Sequence, residues 1–363
     1  HQQQVLAPGH VGDVACFPCL FCGAVDLGQS PNMTGFDPDA AAATGSGIFG
    51  LNTSREDARV VLVPVPFAAT VSYGGGAENG PEAILRASHQ VDLYDWHFGR
   101  IYEGGIHMLA ADPEIVAAHG PARHAVQSGV HGDAVVRAAN EAGDLVNASL
   151  AATVAPLLDE GQIVGVIGGD HSIPFAAIAA VAEREPIGIL HIDAHADLRD
   201  AYEGFRWSHA SIMHNVLASC PGVQRLVQVG IRDYSEGELR AIHASDGRVV
   251  THFDAEWHRR RFAGATFDQL IAEAFEALPE RVWISFDIDG LDPSLCPNTG
   301  TPVPGGLLFA EVSHMLAQLV ATGRRLVGFD LVEVSPGSDE WDANVGARML
   351  YKLCGAAMRS GCQ

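Results

Sequence analysis

Short runs of β-branched and other apolar residues recur along the chain, and most are followed by a segment with helical periodicity. The runs are "RVVLVPVP" (59–66), "QIVGVIGG" (162–169), "IGILHID" (187–193), "RLVQVGI" (225–231), "RVWISFD" (281–287) and "RLVGFDLVEV" (325–334). They are apolar nearly throughout rather than at every second position, as expected of strands buried on both faces of a parallel sheet. Between them "GPEAILRASHQVDLYD" (80–95), "DAVVRAANEAGDLVNASLAATVAPLLDEG" (133–161), "SIPFAAIAAVAER" (172–184), "SEGELRAIHA" (235–244) and "FDQLIAEAFEAL" (267–278) predict helices. Strand alternating with helix means βαβ units and a doubly wound α/β sheet covered on both faces. Neither an internal repeat nor a long linker interrupts the pattern, so residues 36–363 read as one domain. Residues 1–35 read as a leader or extension that contributes little structure.

Composition narrows the function. The chain has 363 residues, 47% hydrophobic and 18% charged with 40 glycines, which suits a compact enzyme-like globule. A formal net charge of -22 argues against a nucleic-acid partner and is compatible with a cationic substrate. Apolar runs stay well short of the roughly 18 residues of a membrane span. Cys220, Cys296, Cys354 and Cys362 have no paired spacing and read as reduced thiols, which implies a cytoplasmic location. Cys16, Cys19 and Cys22 in "CFPCLFC" could form a metal or redox cluster, but an incidental apolar leader is favoured because no fourth ligand is obvious.

Candidate chemistry collects where predicted strands end, which is where open α/β sheets bind ligands. Four ends carry polar signatures: "GGDHS" (168–172), "DAHAD" (193–197), "SFDIDGLDP" (285–293) and "EVSPG" (333–337). In extended chain Asp193, His195 and Asp197 share a face, with the small Ala194 and Ala196 between them. Asp287 and Asp289 in "DID" share a face by the same period. With His171 this makes four carboxylates and two imidazoles. So many close carboxylates repel and are driven to protonate unless cations sit among them. Six ligands are too many for one metal and suit two that share bridging carboxylates. Oxygen and nitrogen donors without thiolate favour manganese, nickel or iron-type ions over a structural zinc.

"GGDHS", "HIDAHADLRD", "SFDIDGLDPSLCPNTGTPVPGG" and "LVEVSPGSDEWDANVGAR" resemble the signature blocks of the ureohydrolase family of arginases, agmatinases and guanidino-acid hydrolases, over residues 59–358. The resemblance implies a three-layer α/β/α fold with a mostly parallel sheet, a binuclear Mn2+ or Ni2+ centre, and a homotrimer or homohexamer. It makes Asp193 and Asp287 bridging ligands, with His171 and Asp197 completing one metal and His195 and Asp289 the other. His209 in "WSHAS" matches a proton-shuttling histidine, Glu333 the partner of a substrate guanidinium, and Thr301 a position beside it. Asp197 would pass a proton to the departing nitrogen.

The stretch "LRDAYEGFRW" (198–207) has Arg199, Asp200, Tyr202, Glu203 and Arg206 where arginases carry asparagine and serine, which argues against arginine as substrate. It is most similar to an agmatinase-like branch containing nickel-dependent guanidine hydrolases, so guanidine or a small alkylguanidine is expected first and agmatine or a guanidino acid second. Tyr202, Phe205 and Trp207 either narrow the pocket or pack the loop. Residues 70–88, with glycines at 74–76, are expected to form a loop over the metal mouth. The rival readings are a binuclear metallophosphoesterase, a single-metal deacylase, and a non-catalytic metal-retaining subunit of a mixed oligomer.

Overall fold

A computed structural model describes residues 36–128 and 132–361; Cys16, Cys19, Cys22 and Cys362 lie outside them. Its sheet has eight strands: β1 Val60–Val65, β2 Ile106–Met108, β3 Ile163–Gly168, β4 Ile187–Ile192, β5 Val223–Ile231, β6 Val249–Phe253, β7 Arg281–Asp287 and β8 Arg325–Val332. They pair side by side in the order β2-β1-β3-β8-β7-β4-β5-β6. Every pairing is parallel.

Apolar residues on successive strand positions supply two cores, one on each face. Val60, Leu62, Leu190, Ile192, Ile284 and Phe286 belong to the first, with Ile84 of α1 (Gly80–Ser88), Leu270 of α8 (Phe267–Glu276), Met315 of α9 (Phe309–Ala321) and Met349 of α10 (Trp341–Arg359). Val61, Val63, Val164, Val166, Ile189 and Trp283 belong to the second. There they meet Val146 and Leu150 of α3 (Asp133–Asp159), Ile178 of α4 (Phe175–Arg184) and Met213 of α5 (Ile212–Ser219). This is the three-layer α/β/α arrangement, and it explains why the strands read as unbroken apolar runs.

The strand order positions the site. β3 and β4 follow each other in sequence but are separated in the sheet by β8 and β7. The four strands that carry the polar signatures are therefore adjacent, and their carboxyl ends open side by side at the switch point of the sheet.

Several element ends differ from the sequence expectation. β8 stops at Val332, because Glu333 has φ +60 and cannot continue an extended strand. The helix after Pro81 ends at Ser88, short of residue 95. Two edge strands, β2 and β6, and several helices, among them α2 (Pro113–Gln127), α9 and α10, were not evident from periodicity. α6 (Glu236–Ala244) and α8 begin with capping boxes, Ser235 with Glu238 and Thr266 with Gln269. Among the described residues no helix is long and apolar enough to cross a membrane. Cys220, Cys296 and Cys354 are buried and free.

Candidate metal centre and substrate pocket

Beyond β4 the backbone turns rather than extends. The His195 amide donates to Asp193 Oδ1 at 2.6 Å, and Asp197 adopts left-handed backbone with φ +54. A straight strand would space same-face side chains roughly 6.6 Å apart, too far for one compact centre. The turn corrects the extended-chain expectation for Asp193, His195 and Asp197 while bringing the same three residues together. Asp287 likewise caps a 3-10 turn that contains Asp289, with the Asp289 amide donating to Asp287 Oδ1 at 2.8 Å.

The six residues fall into two sets. His171 Nδ1 lies 2.9 Å from Asp193 Oδ2, 3.2 Å from Asp197 Oδ2 and 3.3 Å from Asp287 Oδ2. His195 Nδ1 lies 3.1 Å from Asp289 Oδ2 and 3.5 Å from Asp193 Oδ1. Asp193 belongs to both. Behind His171, Ser285 Oγ donates to Asp330 at 3.0 Å and so accepts from Nε2 at 2.9 Å. That leaves Nδ1 aimed at the carboxylates. Trp283 Nε1 donates to Asp330 at 2.7 Å and completes the support.

Electrostatics mark the cluster as a place for cations. Burial drives Asp287 well above the carboxylate range, with Asp289 and Asp193 adding repulsion. Burial and Asp193 push Asp197 up to about 6. Asp193 is held well below its usual value despite burial, because His191, His171 and His195 surround it. Burial alone would lower His195, but Asp289 and Asp193 raise it to about 12. His171 is also raised well above 6.5, since bonds to Asp193, Asp197 and Asp287 overcome its burial. Ligand atoms of His171, His191, Asp193 and Asp197 lie within 4.8 Å of one another, as do those of Asp193, His195 and Asp289. The donor set of carboxylate oxygens and imidazole nitrogens thus fits divalent cations.

A cavity of about 160 Å³ opens beside this cluster, lined by Ser72, His195, Asp197, Tyr202, His209 and Thr301 among others. His209 starts a 3-10 turn capped by Ser208, and its Nδ1 lies 3.4 Å from Thr70 Oγ1. Burial, then the charges of His195 and His171, depress its pKa to about 4. Glu333 Oε1 accepts from the His171 amide at 2.9 Å, and burial followed by Asp170 raises its pKa well above the usual range. The loop after β1 reaches the cavity at Ser72 and sets Thr70 against His209, while residues 80–88 of the expected loop are helix α1. Gly74, at φ +45, backs so closely on Gly300 that a Cβ would lie 2.8 Å from its carbonyl oxygen.

The aromatic residues of 198–207 divide. Trp207 is buried, donates from Nε1 to Asp144 at 2.7 Å and packs on Phe175 at 4.9 Å. Phe205 packs with Val126 and Ala139. Only Tyr202 lines the cavity, with the Arg199 guanidinium 4.7 Å over its ring and Glu238 3.5 Å from Arg199 Nε. Arg206 stacks on Trp207, and Asp200 faces His214. Sequence reasoning missed Thr70, Asp170, His191, Gln228, Ser285 and Asp330. Four had a visible signal: His191, Gln228, Ser285 and Asp330 are polar residues set within apolar runs.

Residues 58–355 match the Arginase family. The chain belongs to it. This arginase-family chain is 35% identical over 303 residues to the N(1)-aminopropylagmatine ureohydrolase of Thermus thermophilus, covering 83% of this chain and 90% of that one. It is 30% identical over 307 residues to the agmatinase of Pyrococcus horikoshii, covering 84% and 94%. The solved proclavaminate amidino hydrolase from Streptomyces clavuligerus superposes with a TM-score of 0.66 at 25% identity, over 88% of this chain and 99% of that one. The protein is therefore a ureohydrolase of the agmatinase-like branch, an enzyme that hydrolyses guanidino C–N bonds. Membership sets aside the phosphoesterase and deacylase readings, and with the His/Asp cluster it supports a metal-binding active centre.

Proposed function

We propose that the enzyme hydrolyses a small guanidinium compound to urea, using two Mn2+ or Ni2+ ions. His171 and Asp197 would hold one ion and His195 and Asp289 the other, with Asp193 and Asp287 shared. The observation that carries this reading is the pair of donor sets meeting at Asp193. Divalent cations held there would supply a water of near-neutral pKa as the nucleophile. Glu333 receives the substrate guanidinium by a charge-assisted hydrogen bond and fixes its carbon beside the cluster. Thr301 stands next to that position. Asp197 carries a proton to the departing nitrogen. His209, neutral at physiological pH and with its basicity lowered by burial, would relay a proton through the cavity mouth only transiently.

Guanidine or a short alkylguanidine is the preferred substrate, supported by the small cavity and by the Tyr202–Arg199 stack that places a fixed cation in its wall. A second reading, agmatine or a longer homologue, is favoured by Asp233. Its exposed carboxylate lies 4.0 Å from His195 Nε2 in the same cavity and could pair with a distal ammonium. The names of the similar proteins point the same way. Urea release by Mn- and Ni-loaded protein should be compared across guanidine, methylguanidine, agmatine, guanidinobutyrate and arginine. Fastest turnover of guanidine or methylguanidine is expected. A preference for agmatine selects the second reading, a preference for arginine overturns the ranking, and no urea from any of them removes the guanidine assignment. From the family we also infer a homotrimer or homohexamer, to be checked by light scattering.

A further inference from the structure

His191 sits among the candidate ligands, yet its neighbours give it a different task. His191 in β4, Gln228 in β5 and Thr251 in β6 are register partners, so their side chains form a row across three neighbouring strands. His191 and Gln228 are both fully buried. The row is joined throughout. Thr251 Oγ1 donates to Gln228 Oε1 at 2.8 Å, Gln228 Nε2 lies 3.0 Å from His191 Nδ1, and His191 Nε2 lies 2.8 Å from Asp193 Oδ2.

The direction of these bonds follows from one contact. Gln228 Nε2 also reaches the Ala196 carbonyl at 2.8 Å, and a carbonyl can only accept. The amide nitrogen is thereby assigned, and it must donate to His191 Nδ1 as well. Nδ1 accepts, so the ring proton resides on Nε2 and points at Asp193. Both ring nitrogens are committed to protein partners. A buried polar row of this kind is costly unless it is fully satisfied, and an apolar row would pack the same space more simply.

We propose that His191 is a positioning residue rather than a metal ligand, with Thr251, Gln228 and His191 forming a polarised wire that fixes the Asp193 carboxylate. One Asp193 oxygen is held by His191 and the other by the His195 amide, so rotation of the carboxylate is blocked. Oδ2 also meets His171 Nδ1 at 2.9 Å, and once that imidazole gives up its proton to ligate, each Asp193 oxygen has a second lone pair to offer. Outer partners of this sort tune metal affinity and ligand orientation. The inference rests on the metal centre proposed above.

Two measurements on the full chain test it. Nitrogen-15 histidine NMR on metal-free and Zn2+-loaded protein should show His191 protonated at Nε2 and bare at Nδ1 in both. Gln228→Glu, which places an acceptor against Nδ1, should move a proton onto it. Mn2+ titration should find two equivalents in both wild type and His191→Phe, with the variant's affinity weakened about 10- to 100-fold. Thr251→Val should weaken it in the same direction, and serves if the phenylalanine variant does not fold. A His191→Phe protein that saturates at one equivalent would show a ligand and overturn the proposal. So would a proton on Nδ1 in wild type, or unchanged metal affinity in both variants. Wild type that takes up no metal would instead remove the metal centre itself, and this inference with it.

Discussion

At residue scale the site is defined by backbone that a strand cannot supply. Asp197 and Glu333 both have positive φ, 54° and 60°. Such conformations cost of order 1 kcal/mol or more for a residue with a Cβ and persist only where the surroundings hold them. The Glu333 amide donates to the Gly169 carbonyl at 2.8 Å, and Thr299 Oγ1 donates to the Glu333 carbonyl at 2.9 Å. Its carboxylate meanwhile accepts from the His171 amide. Glu333→Gln keeps an oxygen for that amide, removes the charge and turns the other acceptor into an NH2 donor. If Glu333 receives a guanidinium, losing the ion pair should cost about 2–5 kcal/mol. That corresponds to a fall in kcat/KM of roughly thirtyfold or more, with metal content unchanged. Steady-state urea assays and elemental analysis on one preparation would check both halves, and undiminished kcat/KM would remove Glu333 from substrate binding.

At element scale the four chemical strands lie side by side, and Gly328 in β8 leaves no room for a side chain between them. A Cβ there would sit 2.3 Å from Trp283 Cζ3 and 3.0 Å from the Val164 carbonyl oxygen. Gly328→Ala should destabilise the fold by about 1–3 kcal/mol through overpacking. Because Trp283 also donates to Asp330 behind His171, metal affinity should fall with it. A urea-melt midpoint and slope equal to wild type would contradict this. The same packing explains what could be read from sequence. Each motif was visible at the end of its own strand, since apolar runs and polar ends are local features. That β8 lies against β3 was not, because the pairing joins residues about 160 positions apart and leaves no local trace. α10 escaped for another reason. Fourteen of its 19 residues are buried, which leaves only a narrow polar stripe of Asn344, Arg348, Lys352 and Arg359 to mark its period. The six proposed ligands were legible because a dense row of acids and imidazoles is conspicuous anywhere. Their partners were single polar residues, and only the folded sheet shows that Ser285, Asp330 and Gln228 face the site.

At the scale of the whole molecule, the chain carries a formal net charge of -22 and concentrates five carboxylates, Asp193, Asp197, Asp287, Asp289 and Glu333, at one buried rim. Without metal, protons must take the place of cations. His171 and His195 are held protonated by their acidic neighbours, and Asp197 titrates near 6. The sign follows from linkage. Asp197 has a folded pKa of about 6, above the roughly 3.9 of an unfolded chain. Its contribution to stability is therefore fully present below roughly pH 3.9 and is lost as pH rises through about 6. The raised histidines act in the same direction at higher pH: their contribution is full below roughly pH 6.5 and declines only as pH climbs toward the folded value, about 12 for His195. Cations favour the ionised carboxylates, so stabilisation by metal should grow between roughly pH 4 and 7, measured as the difference in Tm between loaded and metal-free protein. Imidazoles must also be neutral to ligate. Loading at pH 7 should then release about two protons per chain from His171 and His195, with more from any carboxyl still protonated. Calorimetric titration of metal into the protein, repeated in buffers of different ionisation enthalpy, gives this number directly. Zero release would mean that neither imidazole exchanges its proton for a cation, and the two donor sets meeting at Asp193 would then have to be assigned to something other than metal.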